Sequence, residues 1–164
     1  MPTRKTLMVM LVLVIGAGIY MAYGLKTTLA APSLTTQDYI DIDQNYSRYY
    51  HTIDSGDAEG WANTFTDDGN FNGTKGRAAL IESRKRSGPS KTRHVVSQLV
   101  ITPTPAGANG SLYVFIFDPQ TTPIKINSYS RYDDTLVKTA KGWRFKTKIR
   151  SSDTTIGGRG AQQD

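Results

Sequence analysis

Apolar positions along the chain fall into three regimes. Residues 7–25 carry no charge at all, residues 35–90 repeat their apolar side chains with a helical period, and residues 92–150 repeat them with the period of strands. In the middle regime Tyr39, Ile42, Tyr46, Tyr49, Tyr50 and Ile53 recur three or four apart, which predicts a helix with one tyrosine-rich apolar face. Thr35 followed by Asp38 fits a capping box, in which hydroxyl and carboxylate satisfy backbone NH groups the first turn leaves free, and Gly56 ends the helix. A second, shorter helix is predicted from Asp57, with Ala58, Trp61, Ala62 and Phe65 on one stripe. Asp67-Asp68-Gly69 reads as a turn, and residues 70–72 make a short strand at most. A third helix is predicted over residues 76–86, with Ala79, Leu80 and Ser83 inward, before Ser87-Gly88-Pro89-Ser90 breaks it.

Four β-type runs follow, at residues 94–101, 111–117, 123–137 and 143–150, separated by Pro, Gly and Asn turns. The fold class predicted is α+β, with three N-terminal helices packed on a curved, mostly antiparallel sheet. Alternation puts His94 on one face with Val96, Gln98 and Val100, and Arg93, Val95, Ser97, Leu99 and Ile101 on the other. Both sets are mixed, so the buried face of this strand stays open. Tyr113, Phe115 and Phe117 share a face. In the last run Trp143, Phe145 and Ile149 face inward, which turns Arg150 outward unless a bulge shifts the register.

Charge changes how the first regime is read. Arg4 and Lys5 precede the uncharged run, and Lys26 and the small residues Ala30-Ala31 follow it, so residues 1–31 form either a cleaved export signal or an uncleaved membrane anchor. The remainder is then expected in the periplasm, secreted, or tethered by residues 7–25. The domain organisation expected is an export or anchor segment over 1–31, one domain over 32–150 and a flexible polar tail over 151–164. The chain is 164 residues long with a formal charge of +6; without Arg4, Lys5 and Lys26 its 20 basic groups become 17 against 14 acids, or +3. That balance gives no pull toward nucleic acid. The one basic cluster, Arg77, Arg84, Lys85, Arg86, Lys91 and Arg93 against Glu82, reads as a solvated helix end and loop rather than an anion patch.

With no cysteine and only two histidines, thiol catalysis, disulfides and multi-histidine metal sites are excluded, and no metal or other cofactor is expected. What remains for chemistry is His, Asp and Tyr. An Asp that holds a His makes it a general base, because the carboxylate fixes the imidazole tautomer and stabilises the imidazolium. Asp54 at the end of the first helix, His94 at the start of the first long strand and Tyr49 on the apolar stripe are the candidates. Their spacing is equally compatible with a capping Asp, an ordinary strand His and core tyrosines. Asn-X-Ser/Thr sequons occur at Asn45, Asn72 and Asn109, the first of them inside the predicted helix.

The stretch from Arg48-Tyr49-Tyr50-His51-Thr52-Ile53-Asp54 through Trp61 and Phe65-Thr66-Asp67-Asp68-Gly69 resembles the opening of SnoaL-like proteins of the nuclear transport factor 2-like superfamily. Tyr132-Asp133-Asp134-Thr135-Leu136-Val137 and Gly142-Trp143-Arg144-Phe145 resemble their closing strands, and Thr92-Arg93-His94 falls where the family has its strand histidine. The resemblance spans about residues 35–150. It implies a cone of helices against a strongly curved sheet, enclosing a pocket. In relatives such as scytalone dehydratase, bile-acid dehydratase and hexachlorocyclohexane dehydrochlorinase, an Asp–His pair works without a cofactor. By that similarity Asp54 and His94 are the dyad and Tyr49 stands where the bile-acid enzyme has its catalytic tyrosine. Trp61, Phe65, Tyr113, Tyr132 and Arg150 are the residues expected to contact substrate.

Three functions fit this reading: a cofactor-free lyase or isomerase of the dehydratase type acting on a small hydrophobic molecule, a non-catalytic protein that binds such a molecule, and a membrane-tethered assembly module. The open sheet face also allows a homo-oligomer.

Overall fold

The computed structural model describes residues 31–154. In chain order these form α1 (Thr36–Ser55), α2 (Ala58–Ala62), β1 (Phe65–Phe71), β2 (Thr74–Lys75), α3 (Arg77–Ser87), β3 (Arg93–Thr104), β4 (Gly107–Asp118), β5 (Lys125–Thr139) and β6 (Gly142–Thr154). The strands make one mixed sheet in the order β2-β1-β6-β5-β4-β3, in which only the β1–β6 pair is parallel. The architecture is α+β. Two strands separate α2 from α3, so the helices do not form an uninterrupted block ahead of the sheet. Residues 67–69, expected as a turn, lie inside β1, where the register slips between Phe65 and Asn70 and takes up the polar residues without ending the strand.

The start of α1 forms for the reason its sequence suggests: the Thr35 side chain accepts from the Asp38 backbone NH while the Asp38 carboxylate accepts from the Thr35 NH. Asp38 also ties the helix to the β5–β6 hairpin, accepting from Lys138 Nζ at 2.7 Å and Trp143 Nε1 at 2.9 Å. Gly56 closes the helix at φ +77, and a Cβ there would lie 2.9 Å from Pro89 Cα. Glycine therefore lets the loop after α3 close onto the end of α1, which brings the start of β3 beside Asp54.

The face of α1 that packs on the sheet carries Ile42, Asn45, Tyr46, Tyr49, Tyr50 and Ile53, all buried; Tyr39, in the first turn, is 40% exposed and does not belong to it. Gly110 admits Tyr46, since a Cβ there would sit 2.0 Å from the phenol oxygen. The core is completed by Trp61, Ala62, Phe65, Leu80, Ala108, Leu112, Val114, Tyr132, Leu136, Trp143 and Phe145. Each of the larger apolar side chains among them, taken wholly out of water, contributes about 2 kcal/mol. On α3 only Leu80 is fully buried, and Ala79, expected inward, is exposed. Phe65 belongs to β1 rather than to the α2 stripe.

Two bulges decide which side chains reach the core face. In β3 the pairing slips between Ser97 and Val100, and Gln98 takes φ +54. His94 and Val96 before the bulge pair with Ile116 and Val114, and Ile101 after it pairs with Gly110, so residues from both alternation sets come to one face. In β6 the extra residue falls at Lys146, between the pairs Leu136–Phe145 and Thr135–Thr147. Beyond it Lys148 pairs with Asp134 and Arg150 with Tyr132, on the core face, while Ile149 is turned outward and is 45% exposed. The expectation that Ile149 faces in and Arg150 out is thereby reversed. β6 also continues past Arg150, with Thr154 opposite Tyr129.

Among the described residues no helix is long and apolar enough to cross a membrane. The expected export or anchor segment falls outside the described residues but for Ala31, and so does the tail beyond Thr154. Asn45 has no exposure and donates to the Thr64 carbonyl at 3.2 Å, so its sequon is closed to modification.

Candidate active site

Asp54 occupies the last turn of α1 and His94 the second position of β3, 40 residues apart in sequence. The Asp54 carboxylate grips His94 twice: Oδ1 lies 2.6 Å from the ring Nδ1, and Oδ2 accepts from the His94 backbone NH at 3.3 Å. Both side chains are largely buried, at 17% and 10% exposure. A carboxylate facing Nδ1 makes that nitrogen the proton donor and leaves Nε2 as the basic nitrogen. Nε2 makes no hydrogen bond among the described residues. The other histidine, His51, is exposed.

The ring packed against His94 is that of Tyr50, at a centroid distance of 5.6 Å. Tyr50 is four residues before Asp54, about 40° away around the helix, whereas Tyr49 at five residues is about 140° away. Tyr49 therefore points into the core, with Trp61, Phe65 and Phe145 rings at 5.9, 5.8 and 5.5 Å. Its hydroxyl is buried beside the Trp61 indole NH without a well-formed hydrogen bond, and burial pushes its pKa well above the ordinary phenol value. The expectation that Tyr49 stands beside the dyad is corrected to Tyr50, whose hydroxyl is buried, unpartnered and raised by burial.

The other expected contact residues divide. Tyr132, on β5, is buried with its ring 6.5 Å from that of Tyr50. Burial pushes its pKa up to about 12, against the opposing charge of Arg150. Arg150 donates from Nε to Ser130 Oγ at 3.0 Å, and Ser130 is itself buried. Tyr132 therefore adjoins Tyr50, and Arg150 reaches Ser130 on the same sheet face. Trp61 and Phe65, whose rings are 5.3 Å apart, pack around Tyr49 in the core. Tyr113 is excluded, because alternation along β4 sends Leu112 and Val114 inward and Tyr113 to the outer face, opposite Ser97 and Arg131.

Beneath Tyr50 and Tyr132 lies a charged pair that periodicity gave no means of placing. Lys148 Nζ donates to Asp134 Oδ2 at 2.6 Å, with no exposure of either side chain, and the Tyr46 hydroxyl donates to the same oxygen at 2.8 Å. Burial lowers the Lys148 pKa to about 8 and raises that of Asp134, each opposed by the other's charge. In both groups desolvation outweighs the attraction between them. Lys148 was hidden from sequence reasoning by the Lys146 bulge, and Tyr50 by the choice of the wrong helical offset.

Among the described residues no three His, Cys, Asp or Glu side chains gather as a metal-binding group. The basic cluster is dispersed: Arg77 pairs with Glu59 at 2.6 Å, Arg86 approaches Glu82 at 3.9 Å, and Arg84 bonds the Gly88 carbonyl.

Residues 35–148 match the family model of the SnoaL-like domain. No curated protein matches the chain. Among solved structures it is similar to Rv3472, a protein of unknown function from Mycobacterium tuberculosis, at 27% identity and a TM-score of 0.65, covering 74% of this chain and 80% of that one. It is similar to ActVI-ORFA of Streptomyces coelicolor at 20% identity and a TM-score of 0.63, covering 73% and 98%. A protein of Novosphingobium aromaticivorans provisionally named a scytalone dehydratase matches at 22% identity and a TM-score of 0.61, covering 77% and 93%. The latter two likenesses speak for the fold. With the family model spanning everything from the α1 cap to the buried lysine of β6, the chain belongs to the SnoaL-like domain family.

Proposed function

We propose that the protein is a cofactor-independent lyase or isomerase in which His94 acts as general base on a small hydrophobic carbonyl compound. The observation that carries this is the double grip of Asp54 on His94, which leaves Nε2 unengaged. Nε2 takes the proton from the carbon next to the carbonyl, and the C–H electron pair forms an enolate. Asp54 stabilises the imidazolium, helped by the negative end of α1. Arg150 and the Tyr132 phenol are the donors suited to the developing oxyanion. In a dehydration the enolate expels the β-hydroxyl as water, with the imidazolium returning its proton to the departing oxygen. Membership of the SnoaL-like family and the likeness to a provisionally named scytalone dehydratase support this direction.

The test uses small apolar ketones with acidic α-protons, 2-tetralone first, in deuterated water. Wild-type protein is expected to speed α-proton exchange, and His94→Ala to abolish the acceleration. A ketone that raises the melting temperature but exchanges no faster than in buffer would favour the non-catalytic binding reading instead.

Export from the cytoplasm, or tethering by residues 7–25, remains part of the proposal on sequence grounds, with an assembly role as the alternative for a tethered form. We further propose that the outer sheet face, where Val95, Ile124 and Ile126 are 47%, 62% and 48% exposed beside Phe115 and Phe117, packs against a second copy of the chain.

A further inference from the structure

The dyad leaves one prominent group unexplained, the fully enclosed Lys148–Asp134 pair. A buried ion pair is a poor way to stabilise a core, because well-packed apolar side chains of similar volume do as well or better. Its position is more informative than its charge. Lys148 Nζ lies 4.5 Å from the ring centroid of Tyr132 and 5.5 Å from that of Tyr50, and 4.7, 4.8 and 4.6 Å from those of Tyr46, Tyr49 and Phe145. Tyr50 is the ring against His94, and Tyr132 pairs across the sheet with Arg150. One ammonium thus touches both aromatic groups that adjoin the candidate site.

We infer that Lys148 is a positioning residue: fixed by Asp134, its ammonium holds the Tyr50 and Tyr132 rings where they meet His94 and the Ser130–Arg150 pair. A ring face is drawn to a cation most strongly where water is absent, so rotation of either ring sacrifices that attraction. The Tyr50 hydroxyl has no hydrogen bond to hold its ring, which leaves packing and the cation to set its orientation. Tyr46 keeps Asp134 in place from α1. The groups facing Lys148 are Tyr46, Tyr49 and Tyr50 from α1, Asp134 and Tyr132 from β5 and Phe145 from β6, with Arg150 acting on Tyr132. Asp134 is the only acid among them, so it alone anchors the ammonium.

This inference deepens the lyase reading and is tested so that the two can fail separately. In the full chain, Lys148→Met/Asp134→Asn removes both charges together, and Tyr46→Phe loosens Asp134 while keeping the ring. Proton NMR follows the His94 ring, with exposed His51 as internal reference. Both variants are expected to weaken or lose the Tyr50–His94 ring contact, read as the nuclear Overhauser effect between the two rings, leaving the His51 signals unmoved. If the double variant does not fold, Tyr46→Phe decides alone. A folded variant that keeps the contact at wild-type strength overturns the inference, whatever the turnover. With a ketone that the wild type processes, kcat is expected to fall about tenfold with KM little changed, equivalent to about 1.4 kcal/mol. An unchanged kcat also overturns it, whereas full turnover by His94→Ala would overturn the lyase reading and leave the NMR result standing.

Discussion

Both carboxylate oxygens of Asp54 are committed to a single residue, one on the backbone and one on the ring of His94. Side-chain rotation cannot satisfy both bonds in another pose, so tautomer and ring orientation are set before any substrate arrives. Asp54→Asn offers an amide oxygen or an NH2 in place of the carboxylate and cannot stabilise the imidazolium. A loss of about a hundredfold or more in turnover is expected, with helix content unchanged by circular dichroism. Tyr49 behaves differently. Its hydroxyl is enclosed without a well-formed hydrogen bond, interacting with a Trp61 indole NH that is itself buried, so Tyr49→Phe should leave unfolding stability within about 1 kcal/mol of wild type in a denaturant titration and turnover unchanged. A tenfold fall in turnover for Tyr49→Phe would return this tyrosine to the catalytic group. The contrast marks what was legible at this scale. Asp54 and His94 stood out as the rare chemistry-bearing residues at element ends, but choosing Tyr50 over Tyr49 needed the helical angle relative to Asp54.

Among the elements, the cap of α1 is the joint on which most rests, because Asp38 serves the helix start, Trp143 and Lys138 together. Its hydrogen bonds, first that from Lys138 and then that from Trp143, hold its carboxyl well below the usual carboxylate range. A depressed folded-state pKa means the contribution is fully present above the unfolded value of about 3.9 and is lost as pH falls below it toward the folded value. Asp38→Ala should therefore lower the melting temperature at pH 7, and the gap from wild type should narrow steadily below pH 4. A gap that stays constant down to pH 2 would contradict this. The cap, the stripe and the Gly56 stop were all readable, since each is a local pattern. The two bulges were not. Gln98 and Lys146 carry no local signal for an extra residue, yet they bring Ile101 to the His94 face, put Lys148 inside and turn the exposed Arg150 to the same face. Alternation counted through a bulge inverts every side chain beyond it, which is how Arg150 came to be placed outward and Ile149 inward.

At the scale of the whole molecule, the sheet has one face filled by α1 and another that leaves Val95, Val100, Ile124, Ile126 and Ile149 open. If a second copy covers that face, Ile126→Lys together with Phe115→Lys should shift sedimentation to the monomer mass without loss of helix content. A wild-type protein that is already monomeric at high concentration would refute the pairing. The α+β class and the family were legible because strand order and capping survive in sequence; the parallel β1–β6 pair was not, since it joins segments with no shared local pattern. Every catalytic role proposed for these residues depends on His94 being a base that Asp54 holds. The most direct measurement is the rate of α-proton exchange of 2-tetralone in deuterated water with wild-type, Asp54→Asn and His94→Ala proteins. Acceleration by the wild type that falls sharply in Asp54→Asn and vanishes in His94→Ala is the predicted result; equal rates in all three would contradict it.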